Sequence, residues 1–255
     1  MNRIYYSIAD ANNLKYYKLL ENSFNYFNPK EELILIGEEE IKAANDPNFF
    51  YRATPAINKM LFNKGYKEIC KIDSDSIVTG NIDSIWEGEW DIACVHNSNP
   101  REMKAYPVGV WDIHPLTYLN CGFVVMKSKE FNEQWLKLCY SPHFENYQMR
   151  EQDLLNIMVY YMNRSVGGNY NIKLLDAGDS FFGLSSKGYW PQITIQKNKL
   201  ILHPQNDKDI TYPPTSKWIK VIHAAGGDVR DKWKFDVQFS EEVSKWLKKV
   251  TKGEN

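Results

Sequence analysis

The chain has 255 residues, enough for one large α/β domain or two small ones. With 31 basic and 32 acidic residues the net charge is −1, and no basic excess points to a nucleic-acid partner. Sixteen Tyr and 8 Trp suit a packed core beside a cleft that stacks on flat ligands.

The N-terminus runs directly into a strand, Ile4 to Ile8, with the polar exit loop Asp10-Ala11-Asn12-Asn13. There is no signal peptide and no apolar run of about 18 residues, so the reading is a soluble, cytoplasmic protein with at most peripheral membrane attachment. The four cysteines, Cys70, Cys94, Cys121 and Cys139, are scattered without metal-ligand spacing and read as reduced core residues. Apolar residues Leu14, Tyr17, Leu20 and Phe24, three and four apart, predict a helix over about 13–26, and Leu33 to Gly37 is the second strand. A strand-helix-strand opening of this kind is a parallel unit. Thr54-Pro55 reads as an N-cap and first-turn proline for a helix to about Phe62.

The central stretch is Ile69-Cys70-Lys71-Ile72-Asp73-Ser74-Asp75-Ser76-Ile77-Val78. A short apolar run ended by small polar residues is how a parallel-sheet strand reaches its edge. Side chains alternate along extended backbone, so Asp73 and Asp75 share a side. Two neighbouring carboxylates repel, and a hard divalent cation is the usual remedy. Carboxyl ends of strands are also where α/β sheets bind ligands.

Strands follow at Asp91–Val95 and Tyr118–Met126, with 97–118 read as a long loop over the site. Ser128 caps a helix to about Cys139, and a further helix spans Glu151 to Tyr161. Ile193–Gln196 and Leu200–Leu202 form a hairpin, Trp218–Ile222 leads into His223, and a closing helix covers about 240–250 with acids first and lysines last. No internal repeat or low-complexity linker divides the chain, so the expectation is one domain.

Four segments in this order resemble glycosyltransferase family 8, whose members include glycogenin and the bacterial lipooligosaccharide galactosyltransferases. They are Ala9-Asp10-Ala11-Asn12; Tyr51-Arg52 ahead of the Asp73-Ser74-Asp75 motif; Leu119-Asn120-Cys121-Gly122 with Glu151-Gln152-Asp153-Leu154-Leu155-Asn156; and His223-Ala224-Ala225-Gly226. The resemblance implies the GT-A fold, a Rossmann-like, mostly parallel mixed sheet flanked by helices. It implies a UDP-sugar donor, a carbohydrate or other hydroxyl acceptor, transfer of a hexose with retention, and Mn²⁺ or Mg²⁺ held by Asp73, Asp75 and His223. It further implies that Ala9, Asp10 and Asn12 border the uracil, that Tyr51, Arg52 and Ser74 meet the nucleotide-sugar, and that Asn120 and Gly122 read the sugar. Either Arg230 or Lys232, beyond Gly226, would face the diphosphate. Glu151, Gln152 and Asp153 are the catalytic candidates, with Gln152 beneath the anomeric carbon. Glu151 stands where the family has Asp, and the family's Lys-Pro-Trp is here a late Lys232-Trp233 without the proline. Trp111, Phe181, Phe182, Tyr189 and Trp190 are candidates for stacking on an acceptor. A catalytically decayed sugar-binding protein of the same fold is the alternative. A nucleotidyltransferase is disfavoured because the exit of strand one lacks a glycine-rich basic loop.

Overall fold

A computed structural model describes residues 2–43, 49–96, 117–142, 144–163, 169–175, 181–182, 193–203, 216–224, 235 and 239–252. Of the loop expected over 97–118, residues 97–116 lie outside them, and so do Trp111, Tyr189, Trp190, Gly226, Arg230 and Lys232.

Strand β1 (Arg3–Ile8) is buried on both faces, so it can sit only in the interior of a sheet. Helix α1 (Leu14–Phe27) crosses from it to the parallel β2 (Leu33–Ile36). A short α2 (Glu38–Ala43) follows, then α3 (Ala53–Asn63) and β3 (Glu68–Ile72), parallel to β1 on its other side. Strand β4 (Ser76–Val78) leaves this sheet. Next come β5 (Ile92–His96), β6 (Leu119–Met126), helices α4 (Lys129–Cys139) and α5 (Glu151–Ile157), and β7 (Ile172–Leu174). The first sheet has the order β2-β1-β3-β6-β5-β7. The β1–β2, β1–β3 and β5–β7 pairings are parallel, and β6 runs antiparallel to both neighbours.

Strand alternation sorts the core. Tyr5, Cys70 and Ile72 pack under Tyr17, Leu20 and Phe24 of α1. Ile4, Tyr6 and Ile69 face the other way, against Ile57 and Leu61 of α3. Lys71 and Asp73 fall on this second side by the same period of two.

A second sheet holds β4, β8 (Phe181–Phe182), β9 (Ile193–Gln196), β10 (Lys199–Leu202) and β11 (Lys217–His223). It is antiparallel apart from the β8–β11 pair. The β9–β10 turn places Lys197 and Asn198 at φ of 49° and 60°, the left-handed pair that a two-residue hairpin needs. Val243, Leu247 and Val250 of α6 (Glu241–Lys252) close over Ile77, Leu200 and Ile219. The link between the two sheets is three residues long: Asp73, Ser74 and Asp75 lie between the end of β3 and the start of β4.

Two local expectations change. Thr54 does not cap α3: the cap position is Arg52, without a side-chain bond, because the Thr54 hydroxyl and N–H both go to Glu151. The helix expected over Glu151–Tyr161 is α-helical to Ile157 and then widens to a π-helix over Met158–Met162. Phe181 and Phe182, candidates for stacking on an acceptor, form the short strand β8. The four cysteines are buried and unpaired with one another.

Candidate active site

The carboxyl end of β3 opens into a cavity. Asp73 leaves the strand with its N–H on the Gly122 carbonyl at 2.7 Å, and a turn closes from the Ser76 N–H to the Asp73 carbonyl at 3.0 Å. Strand β11 then pairs His223 with Ser76, and the Ala224 N–H donates to the Asp75 carbonyl at 3.0 Å. These backbone bonds carry His223 to the two carboxylates. Its Nε2 lies 3.3 Å from Asp73 Oδ2 and 3.1 Å from Asp75 Oδ1.

The ligand atoms of Asp73, Asp75 and His223 all lie within 4.8 Å of one another. Ligands about 2.1 Å from one octahedral cation stand about 3.0 Å apart when adjacent, so the spacing fits a divalent ion. Two carboxylates and one imidazole suit a hard or borderline divalent cation better than a soft metal. Electrostatics has tuned the same atoms. Burial would raise the Asp73 pKa, but Lys71 and His223 outweigh it and hold the carboxyl below its usual range. Burial would lower the His223 pKa, but Asp75 and Asp73 outweigh it and lift it to about 9.

Gly122 belongs to this group for a steric reason. A Cβ there would stand 2.4 Å from His223 Cε1 and 2.7 Å from Asn120 Oδ1. Gly122 lines the cavity, and its missing side chain leaves room for the imidazole beside it. Asn120 lines the cavity beside it and accepts from the Gly122 N–H at 2.6 Å.

The opposite wall comes from α5. Arg150, at φ 50°, turns the chain sharply into the helix, and Trp135 Nε1 holds the Glu151 carbonyl at 2.9 Å. Glu151 accepts from Thr54 Oγ1 at 2.6 Å and from the Thr54 N–H at 3.2 Å. Desolvation raises its pKa to about 7, against the opposing pull of Lys71 and the Thr54 bonds. Gln152 Oε1 accepts from the Cys121 N–H at 2.8 Å, which fixes the amide orientation and leaves Nε2 as its second polar atom. Asn156 clamps Leu119 through both its N–H and its carbonyl.

The cavity brings together Tyr51, Asp73, Ser74, Asp75, Asn120, Gly122, Glu151, Gln152 and His223. Other candidates lie elsewhere. Asp153 turns away from the cavity, accepting from the Tyr118 hydroxyl at 2.5 Å and the Met149 N–H at 2.8 Å. The Arg52 guanidinium lies over the rings of Tyr140 and Phe144, at 4.9 and 4.5 Å. Asp10 accepts from the Asn13 N–H and Nδ2, at 2.9 and 2.7 Å, Ala9 is buried and Asn12 is exposed. Ile8 and Asn13 line the cavity at this strand exit instead.

Sequence reasoning passed over Lys71 and misjudged Thr54, both of which line the cavity. Lys71 carried a legible signal, a lone charge inside an apolar strand. Thr54 carried none, because its partner is 97 residues away.

No protein-family model matches the chain, and no curated protein matches it in sequence. Solved structures do. The galactosyltransferase LgtC, determined with donor and acceptor sugar analogues, is 14% identical, with 98% of this chain and 95% of that one covered at a TM-score of 0.55. The bifunctional glycosyltransferase WbbM matches over 98% of this chain at 14% identity and a TM-score of 0.55, although this chain spans only 51% of WbbM. Mouse xyloside xylosyltransferase 1 is 11% identical, over 88% of this chain and 97% of that one, at a TM-score of 0.53. Against the glycosyltransferase GlyE of Streptococcus pneumoniae the chain spans 45% of that protein's length. The fold is thus the GT-A fold of glycosyltransferases. Among the described residues no helix is long and apolar enough to cross a membrane.

Proposed function

We propose that the chain is a metal-dependent glycosyltransferase that moves a hexose from a UDP-sugar to a hydroxyl acceptor with retention of configuration. One observation carries this reading. Asp73, Asp75 and His223 meet on one wall of a cavity whose other wall holds Glu151 and Gln152.

Breaking a sugar–phosphate bond puts negative charge on the departing diphosphate and positive charge on the anomeric carbon. Mn²⁺ or Mg²⁺, when bound, supplies a Lewis acid for that diphosphate. Asp73, Asp75 and His223 hold it, and Arg230 or Lys232 adds a positive contact. The exit of β1, with Ile8 and Asn13 beside Ala9, Asp10 and Asn12, takes the base. Tyr51 and Ser74 border the nucleotide. Asn120 and Glu151 bind sugar hydroxyls, and Gln152 lies beneath the anomeric carbon. Residues 97–118 and 176–190 wall the acceptor. The chain acts in the cytoplasm as one domain.

Support for retention comes from the carboxylates. Inversion needs a base opposite the leaving group. Asp153 is committed to Tyr118 and Met149, and Glu151 to Thr54. Retention by same-face attack needs no such base, because the leaving phosphate takes the acceptor's proton. UDP release should appear with Mn²⁺ and one member of a UDP-sugar panel, and NMR of the product should show the donor's anomeric configuration. Tight UDP-sugar binding without turnover would favour the decayed-site alternative.

A further inference from the structure

Lys71 has no part in that reaction as described, yet it is among the most constrained side chains in the cavity. Only 6% of its surface is exposed, in a strand whose other buried residues are Ile69, Cys70 and Ile72. An ammonium buried there without partners would cost several kcal/mol. It has two bonded partners, and the Glu151 carboxylate adds a favourable charge nearby: Nζ pairs with Asp73 Oδ1 and donates to the Cys121 carbonyl at 2.8 Å.

The division of the Asp73 carboxylate is the informative feature. Oδ1 belongs to Lys71, and Oδ2 faces His223 at 3.3 Å. A carboxylate gripped by one oxygen cannot swing to offer both to a cation. The charges add a second consequence. Asp73 and Asp75 carry two negative charges, and Lys71 cancels one of them within the same wall. That relieves their repulsion before any cation arrives and weakens the pull on a dication afterwards.

We propose that Lys71 is a positioning residue, a built-in counter-ion that presents only Oδ2 of Asp73 to the cation and keeps the site assembled in its absence, while lowering cation affinity. This rests on the metal-site reading but not on the transfer chemistry.

The test uses the full chain without nucleotide or sugar. Free Mn²⁺ is followed by EPR, and thermal unfolding is measured in chelator and in saturating Mn²⁺. Lys71→Met should bind Mn²⁺ about threefold or more tightly than wild type, since a nearby repelling charge is gone. It should melt lower in chelator and gain more from Mn²⁺. Lys71→Arg, which keeps the charge, should bind Mn²⁺ more nearly as wild type does. The double variant Lys71→Met/Asp73→Asn removes both charges and should melt above Lys71→Met in chelator. It keeps the proposal testable even if Lys71→Met fails to fold without metal. Mn²⁺ affinity that is unchanged or weaker in Lys71→Met, or a double variant no more stable in chelator than Lys71→Met, would overturn the proposal. A wild type that binds no Mn²⁺ overturns it together with the metal reading. A wild type that binds Mn²⁺ but transfers no sugar overturns only the transferase reading, and the titration still decides on Lys71.

Discussion

The two walls of the cavity are held by different physics. The wall of Asp73, Asp75 and His223 is an arrangement of charges, with two carboxylates against a proton-binding imidazole and a buried ammonium. The wall of Glu151 and Gln152 is a set of hydrogen bonds to backbone and hydroxyl donors, with Thr54 on one residue and the Cys121 N–H on the other. Charges act over several ångströms and are exchanged for a cation. Hydrogen bonds act only at contact and set shape. Substitutions on the first wall should therefore change cation binding, and those on the second should change turnover with the cation still bound.

The largest expected effect lies on the charged wall. Asp73→Asn or Asp75→Asn should reduce transfer on the order of a hundredfold or more while circular dichroism stays native. Equal calorimetric binding of UDP with and without chelator would break the comparison at its base. The proton on His223 gives the second effect. Its pKa is lifted from 6.5 to about 9, so the stability it contributes is complete below 6.5 and is lost as pH rises through 9. A cation must displace that proton, so Mn²⁺ affinity should climb by about tenfold per pH unit towards pH 9 and then level off. A flat titration between pH 6.5 and 8.5 would remove His223 from the ligand set.

Gly122→Ala is a sharper probe, because it adds one methyl and no charge. The contact with His223 Cε1 forces the ring to move, and Mn²⁺ affinity should drop by about tenfold, with a smaller change in melting temperature. A variant with wild-type affinity would show that the ring has room to give. On the second wall, Gln152→Ala should lower kcat by about tenfold while UDP affinity holds. Glu151→Gln should be the mildest, a few-fold loss, because the amide oxygen can still accept one Thr54 bond. Abolished activity in Glu151→Gln with donor binding intact would instead make Glu151 the base.

The sequence by itself was enough for most of the strands, though not for β7 or β8, and for most of the charged wall. The apolar run before Asp73 can only be a buried strand. The order of the Asp-Ser-Asp motif, the Asn120–Gly122 strand and His223 is a linear record that resemblance can read. The closing helix and the hairpin were legible because caps, charge gradients and turn residues act over a few positions. What the sequence could not state was which side chains share partners. Thr54 reads as a helix cap until Glu151 takes both its donors. Asp153 reads as an active-site acid until Tyr118 and Met149 claim it, and Arg52 as a ligand contact until it lies over two rings. Gly122 lines the cavity, and nothing local shows that its missing side chain also makes room for the His223 ring. Each of these depends on a contact between segments far apart in the chain. Local propensity and spacing decide where a side chain starts, and only packing between distant segments decides which atom it meets.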